Sequence, residues 1–107
     1  GQETRDFLQI DDAVALITTA CDKSWDGVAT VNGGTGEASR IDEVAAALCR
    51  EMASPSRISF TGVQRPGDPV HYRADISRAT ALGWSPTLLL ADGVRLYAKW
   101  LQQDWKA

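Results

Sequence analysis

Apolar residues recur at helical intervals in three stretches of this chain and alternate over shorter ones between them. Ala13, Val14, Ile17, Ala20 and Cys21 share one face of a helix that should end near Asp22, with Asp11 or Asp12 as the cap that accepts from its free backbone N–H groups. Ile41, Val44, Ala45, Leu48, Cys49 and Met52 make a second stripe. Ser39 is placed to cap that helix, Asp42 and Glu43 suit its first turn, and Ser54-Pro55-Ser56 stops it. Leu90, Val94, Tyr97, Leu101 and Trp105 form the third, with Thr87 as the expected cap. Gly93 lies inside that last helix, where glycine costs about 1 kcal/mol against alanine, so close packing is expected to demand a small residue there. A shorter helix is expected from an Asp75 cap to Leu82, with Gly83 at its C′ position.

Between these stripes the pattern is extended. Residues 5–10 form a short extended segment, Val28 to Asn32 reads as a strand, and Arg57 to Thr61 as another with Ile58 and Phe60 on one face. Lys23 to Gly27 is a turn, Gly33 to Gly36 breaks the first full strand, and residues 62–69 are a glycine- and proline-containing loop. The expected fold class is therefore α/β, short strands alternating with about four helices, as one unit over residues 1–107 with no internal repeat.

Composition narrows the function. The chain has 107 residues, enough for one modest core, and 44% of them are hydrophobic. Charged residues make up 23% at a net charge of −3, and the cations are scattered, which argues against a nucleic-acid binder. No apolar stretch approaches the roughly 18 residues of a membrane span, and no secretory leader pattern precedes the fold. Cys21 and Cys49 fall on apolar helix positions and read as reduced, buried thiols of a cytoplasmic protein rather than a disulfide. One histidine and no CxxC pair leave no zinc site. The start at Gly1 fits a processed chain or a piece of a longer one.

Candidate chemistry gathers in loops. Arg65-Pro66-Gly67-Asp68 places a cation, a turn and a carboxylate within four residues. It reads either as a solvated turn or as a site in which Arg65 holds a diphosphate oxygen and Asp68 accepts ribose hydroxyls. Arg5 reads either as a surface cation paired with Asp6 or Asp11, or as a guanidinium fork on a phosphate. Val31-Asn32-Gly33-Gly34-Thr35-Gly36 invites a phosphate-loop reading, but it has neither the G-x-G-x-x-G spacing nor a P-loop lysine, so a tight strand-to-helix turn is the better description. His71 has no neighbouring nucleophile and reads as packed or solvated rather than catalytic. Trp84, Trp100 and Trp105 are expected to pack the C-terminal helix into the core, while Trp25 sits in a turn as an exposed or interface residue.

Four segments together resemble the C-terminal, substrate-binding part of the extended short-chain dehydrogenase/reductase family, the NAD-dependent sugar-nucleotide epimerases and dehydratases. They are Gln2-Glu3-Thr4-Arg5-Asp6-Phe7-Leu8 with Asp11-Asp12-Ala13, Val31-Asn32-Gly33-Gly34, Arg65-Pro66-Gly67-Asp68 through Ala74-Asp75, and Leu82-Gly83-Trp84-Ser85-Pro86 with Asp92-Gly93 and Trp100. The resemblance implies a nucleotide-diphosphate sugar as ligand, with Arg5 and Arg65 at its diphosphate, Asp68 at its ribose and Asn32 at a strand end near the phosphates. It implies packing roles for Asp75, Trp84 and Pro86. The family's glycine fingerprint for NAD and its Y-x-x-x-K pair are both missing, since Tyr72 and Tyr97 have no lysine four residues on. Ile10 replaces the usual valine, and Ala29-Thr30-Val31 lacks the usual aromatic before asparagine.

The expectation is thus a nucleotide-sugar-binding portion without catalysis or cofactor of its own, whose NAD or NADP would belong to a separate N-terminal portion. Two rivals stay open. One is a free-standing binding or regulatory module. The other is a structural protein that self-associates through faces the missing portion would cover, among them the Val28–Asn32 edge, for which a homodimer is expected.

Overall fold

The computed structural model describes residues 1–103 of the chain; Trp105, expected on the last helical stripe, lies outside them. The order of elements is β1 (Thr4–Arg5), α1 (Ile10–Cys21), β2 (Ser39–Arg40), α2 (Ile41–Glu51), α3 (Ser77–Ala81) and α4 (Leu90–Gln103). Four helices and short strands give the α/β class that the hydrophobic pattern implied.

The strands are not where alternation alone put them. β1 and β2 pair antiparallel, Thr4 opposite Arg40 and Arg5 opposite Ser39. On its other side Thr4 bridges His71 in parallel, its N–H donating to the Val70 carbonyl at 3.0 Å and its carbonyl accepting from the Tyr72 N–H at 3.1 Å. Thr4 therefore sits between two distant segments. Val28–Asn32 and Arg57–Thr61, by contrast, are not strands. A strand needs a backbone neighbour, and neither segment has one among the described residues. Residues 28–32 are held by side chains instead: Arg78 Nη1 donates to the Thr30 carbonyl at 3.0 Å and Asn32 Nδ2 to the Asp75 carbonyl at 3.2 Å. Val31 packs on the core while Val28 stands fully exposed.

Helix caps also differ from the local reading. Gln9, not Asp11 or Asp12, is the N-cap of α1, its side-chain oxygen accepting from the Asp11 N–H. Both aspartates lie in the first turn. Arg40 is the N-cap of α2 and no side chain caps it. Its first two N–H groups donate to the Glu3 and Gly1 carbonyls, each at 3.0 Å, so the chain beside β1 does what Ser39 was expected to do. Thr87 lies ahead of α4 and gives its hydroxyl to Asp12. The Asp75 carboxylate does accept from the Ser77 N–H at 2.9 Å at the start of α3, and Gly83 takes φ +90° just after its end.

The core is small. Leu16 of α1, Ala79 of α3 and Trp84 are buried together, with Leu8, Val31 and Ile76 packed against them. Val94 and Ala98 are buried on α4, which lies against α2. Trp100 stacks on Tyr97 at the surface, ring centroids 5.6 Å apart, rather than entering the core. The cysteines are free, but Cys49 is half-buried and Cys21 is exposed, since among the described residues the α1 face that carries Cys21 is left uncovered. On that face Ile10, Val14 and Ile17 are all more than half exposed.

Candidate functional site

Two carboxylates tie the fold together before any ligand site is formed. Asp6, directly after β1, accepts from the Thr35 N–H at 2.7 Å, the Thr35 hydroxyl at 2.6 Å, the Gly36 N–H at 2.9 Å and the Ala74 N–H at 3.2 Å. Three segments far apart in sequence thus meet on one side chain. Gly34 makes the approach possible: a Cβ there would lie 2.5 Å from the Ala74 Cβ and 2.6 Å from Asp6 Oδ2. The glycine-rich loop does cradle an anion, and the anion is the chain's own Asp6. Burial acts to raise the Asp6 carboxyl, but the bonds from Thr35, Ala74 and Gly36 outweigh it and hold its pKa below the usual carboxylate value.

Asp12 repeats the design at the other end of the core. It is 4% exposed and accepts from the Thr87 hydroxyl at 2.7 Å, the Thr87 N–H at 3.0 Å and the Leu88 N–H at 3.1 Å. Its carbonyl takes the Trp84 indole N–H at 3.1 Å. Burial again opposes, and the Thr87 and Leu88 bonds again win, leaving its carboxyl below the ordinary value. From the sequence, Asp6 reads as a partner for Arg5 and Asp12 as a cap, both within the first family-like segment, and neither as a tie between distant loops. The signal available was a carboxylate close to buried apolar positions, since a charge carried inward must find donors.

With the frame fixed, Arg5 and Arg65 come to line one cleft of about 720 Å³ together with Asp68. Gln2, Glu3, Asp42, Phe60, Gln64 and Val70 contribute to its walls. β1 brings Arg5, which is half-buried and donates to its neighbour's carbonyl, Thr4 O, at 2.8 Å. It does not pair with Asp6 or Asp11. A tight turn brings the other two: the Asp68 N–H donates to the Arg65 carbonyl at 3.1 Å and Gly67 takes φ +90°, the geometry of a type II turn with Pro66 leading. Arg65 and Asp68 therefore stand at the two ends of one turn. Asn32 lies away from this cleft, its amide engaged with the Asp75 carbonyl.

The charges of the cleft are not evenly matched. Asp42 is held by Arg40, and its carboxyl is lowered first by that bond. Glu3 pairs with the Gly1 amino group at 2.8 Å. The Arg65 guanidinium and the Asp68 carboxylate have no side-chain partner among the described residues. Two guanidiniums facing a cleft can hold a diphosphate through charge-assisted bonds, and one carboxylate can accept from two hydroxyls. Among the described residues no group of His, Cys, Asp and Glu is arranged to hold a metal ion. His71 is exposed, its Nδ1 3.1 Å from the Thr4 hydroxyl. No helix among the described residues is long and apolar enough to cross a membrane.

The chain is 30% identical over 105 residues to the dTDP-L-rhamnose 4-epimerase of Burkholderia thailandensis, covering 97% of this chain and 29% of that one. It is 33% identical to the UDP-glucose 4-epimerase of Mycolicibacterium smegmatis, over 88% of this chain and 30% of that one. In structure it matches the UDP-glucose 4-epimerase of Bifidobacterium longum, solved with NAD+ and UDP, at a TM-score of 0.85 and 27% identity, over 96% of this chain and 31% of that one. The UDP-glucuronic acid 4-epimerase of Bacillus cereus, solved with UDP-glucuronic acid and NAD, matches at 0.84 and 29% identity, over 98% and 34%. The chain resembles the C-terminal part of an extended short-chain dehydrogenase/reductase. It spans about a third of the length of the sugar-nucleotide epimerases it matches. No family model matches it.

The Bifidobacterium longum and Bacillus cereus structures were solved with NAD, and the glycine loop here does not fit that cofactor. The Thr35 and Gly36 N–H groups that would face a pyrophosphate are already taken by Asp6.

Proposed function

We propose that this chain is the nucleotide-sugar-binding portion of an epimerase- or dehydratase-like protein, in which Arg5 and Arg65 clasp the diphosphate and Asp68 accepts the ribose hydroxyls, while Asn32, away from the cleft, ties its own segment to the Asp75 carbonyl. The observation that carries the reading is the convergence of Arg5 and Arg65, distant in sequence, on one cleft with Asp68, in a chain similar to proteins solved with UDP-sugars. Hydride chemistry belongs to a nicotinamide-binding portion corresponding to the remainder of the relatives. This chain offers neither a free glycine cradle nor a Tyr/Lys pair, so alone it binds substrate and does not turn it over. The free thiols of Cys21 and Cys49 suit the cytoplasm.

Each charge-assisted bond contributes about 1.5–3 kcal/mol. With part of the pocket belonging to another portion, the expected affinity for UDP is roughly millimolar. The test is a titration of the chain with UDP, followed by amide chemical shifts at low and high salt. Binding that weakens in Arg65→Ala and at raised ionic strength supports the site. Binding indifferent to Arg65→Ala moves it elsewhere.

A second reading follows from the apolar face of α1 left uncovered among the described residues, with Ile10, Val14 and Ile17 exposed. In the absence of a covering portion we expect this face to drive a homodimer. A monomer by light scattering at about 100 µM, a concentration at which only associations tighter than roughly 5 kcal/mol are populated, would contradict it.

A further inference from the structure

We propose that Thr4 is the positioning residue of the cleft, and that its hydroxyl, joined to His71, keeps the turn of Arg65 and Asp68 in place opposite Arg5. The inference rests on the diphosphate reading above and goes beyond it, since neither Thr4 nor His71 lines the cleft. Arg5 and Arg65 are far apart in sequence, so something must fix their spacing. The turn belongs to the segment 57–72, which holds no helix or paired strand. Among the described residues, every hydrogen bond that joins this segment to the rest of the chain ends on Thr4. The Thr4 N–H donates to the Val70 carbonyl at 3.0 Å, its carbonyl accepts from the Tyr72 N–H at 3.1 Å, and its hydroxyl lies 3.1 Å from His71 Nδ1. The same carbonyl accepts from Arg5 Nη1 at 2.8 Å. One residue thus touches both halves of the clasp.

The ties differ in what they can fix. The two main-chain bonds make one isolated bridge, and a bridge that no neighbouring pair extends opens readily. Phe60 adds a contact against Gly1 across the cleft, but apolar contact has no direction and leaves the turn free to slide. The bond between hydroxyl and imidazole supplies a third, directional tie on the side-chain face of the bridge. Either partner can donate in it, because a hydroxyl and an imidazole each do both. Thr4 is half-buried and His71 exposed, so this bond closes the bridge where it meets water. Val70, the acceptor in the bridge, lines the cleft and follows Asp68 by two residues. Slack at the bridge therefore passes directly into the turn. His71, which has no nucleophile beside it, holds the site and does no chemistry in it.

The experiment follows UDP affinity and amide hydrogen exchange in the 107-residue chain. Thr4→Val removes the hydroxyl and keeps the β-branched shape. His71→Ala removes the other partner at an exposed position, where the fold tolerates it. Each should weaken UDP about threefold, the loss of one hydrogen bond. The double variant should be no weaker than either single one, because the two residues share that bond. His71→Asn, whose amide can stand where Nδ1 stands and can donate or accept, should restore most of the affinity. The Tyr72 N–H should exchange faster in both single variants, while the Ile41 N–H, bonded to the Glu3 carbonyl, keeps its rate. A general loosening of β1 would speed both amides alike and overturns the proposal. Losses that add, a Tyr72 rate that does not change, or His71→Asn as weak as His71→Ala overturn it too. So does UDP binding that falls in Arg65→Ala but not in Thr4→Val, an outcome that leaves the diphosphate site standing. A wild-type chain that binds no UDP overturns that site and this inference with it.

Discussion

Asp6 and Asp68 are the same residue type put to opposite uses. Asp6 accepts four hydrogen bonds, from Thr35, Gly36 and Ala74, and each partner belongs to its own chain. Asp68 stands at the end of an exposed turn with no side-chain partner among the described residues. The region around Asp6 has used its polar capacity internally and holds the molecule together. The region around Arg65 and Asp68 has kept its capacity for something else. A satisfied carboxylate marks structure, and an unsatisfied one on a fixed turn marks where a ligand can be recognised.

The sharpest way to break the first region is Gly34→Ala. The added methyl would collide with Ala74 and with Asp6, and the Asp6 bonds would be lost along with the packing. A cost of about 3 kcal/mol or more is expected, a large share of the stability of a domain this size. Circular dichroism melts should show loss of a cooperative transition. Asp6→Asn follows at about 3 kcal/mol, because an amide turns a donor toward N–H groups that need an acceptor. Asp12→Asn should cost about 2 kcal/mol, read as a Tm lower by roughly 10 °C.

Acid should reproduce these losses gradually. Asp6 and Asp12 have folded pKa values below their ordinary ones, so the stability they give is fully present above the unfolded value, near pH 4. It disappears as the pH falls through the folded values. A Tm that is flat from pH 7 to 5 and drops below about pH 4 is expected. The Asp12→Asn variant, the milder of the two, should lose a clear part of that slope. Some would remain, since the carboxyls of Glu3, Asp42 and Asp75 are also lowered. In the second region the pattern inverts. Asp68→Asn should move the melt by less than about 0.5 kcal/mol while weakening UDP binding severalfold.

The smallest effect concerns Gly93. A Cβ there would sit 3.7 Å from the Gln9 side chain, an ordinary contact, so the expected need for a small residue is not met. Gly93→Ala should stabilise α4 by about 1 kcal/mol. A destabilised variant would show that α1 and α4 fit more tightly than their separation implies.

What the sequence made legible follows the range of the interactions involved. The stripes of α1, α2 and α4 depend on local periodicity and were readable, as was Gly83 at the end of α3. The caps were missed where distant groups intervened: Gly1 and Glu3 carbonyls replace Ser39, and Asp12 takes the Thr87 hydroxyl. Val28–Asn32 has the alternation of a strand, but pairing is a property of two segments, and no partner lies beside it among the described residues. In the cleft, Arg5, Arg65 and Asp68 stood out by residue type and by family resemblance, whereas Asp6 and Asp12 become visible only when their donors, carried by segments remote in sequence, fold around them.

The five apolar residues buried among the described ones, Leu16, Ala79, Trp84, Val94 and Ala98, also have a calorimetric meaning. Heat capacity on unfolding tracks apolar surface newly wetted, and exposed polar groups subtract from it. A chain stitched by carboxylates around so small an interior should therefore fall below the usual ~12–15 cal/mol/K per residue, with a correspondingly shallow dependence on urea. Its stability curve would be unusually flat with temperature, changing little between a cold room and a warm one.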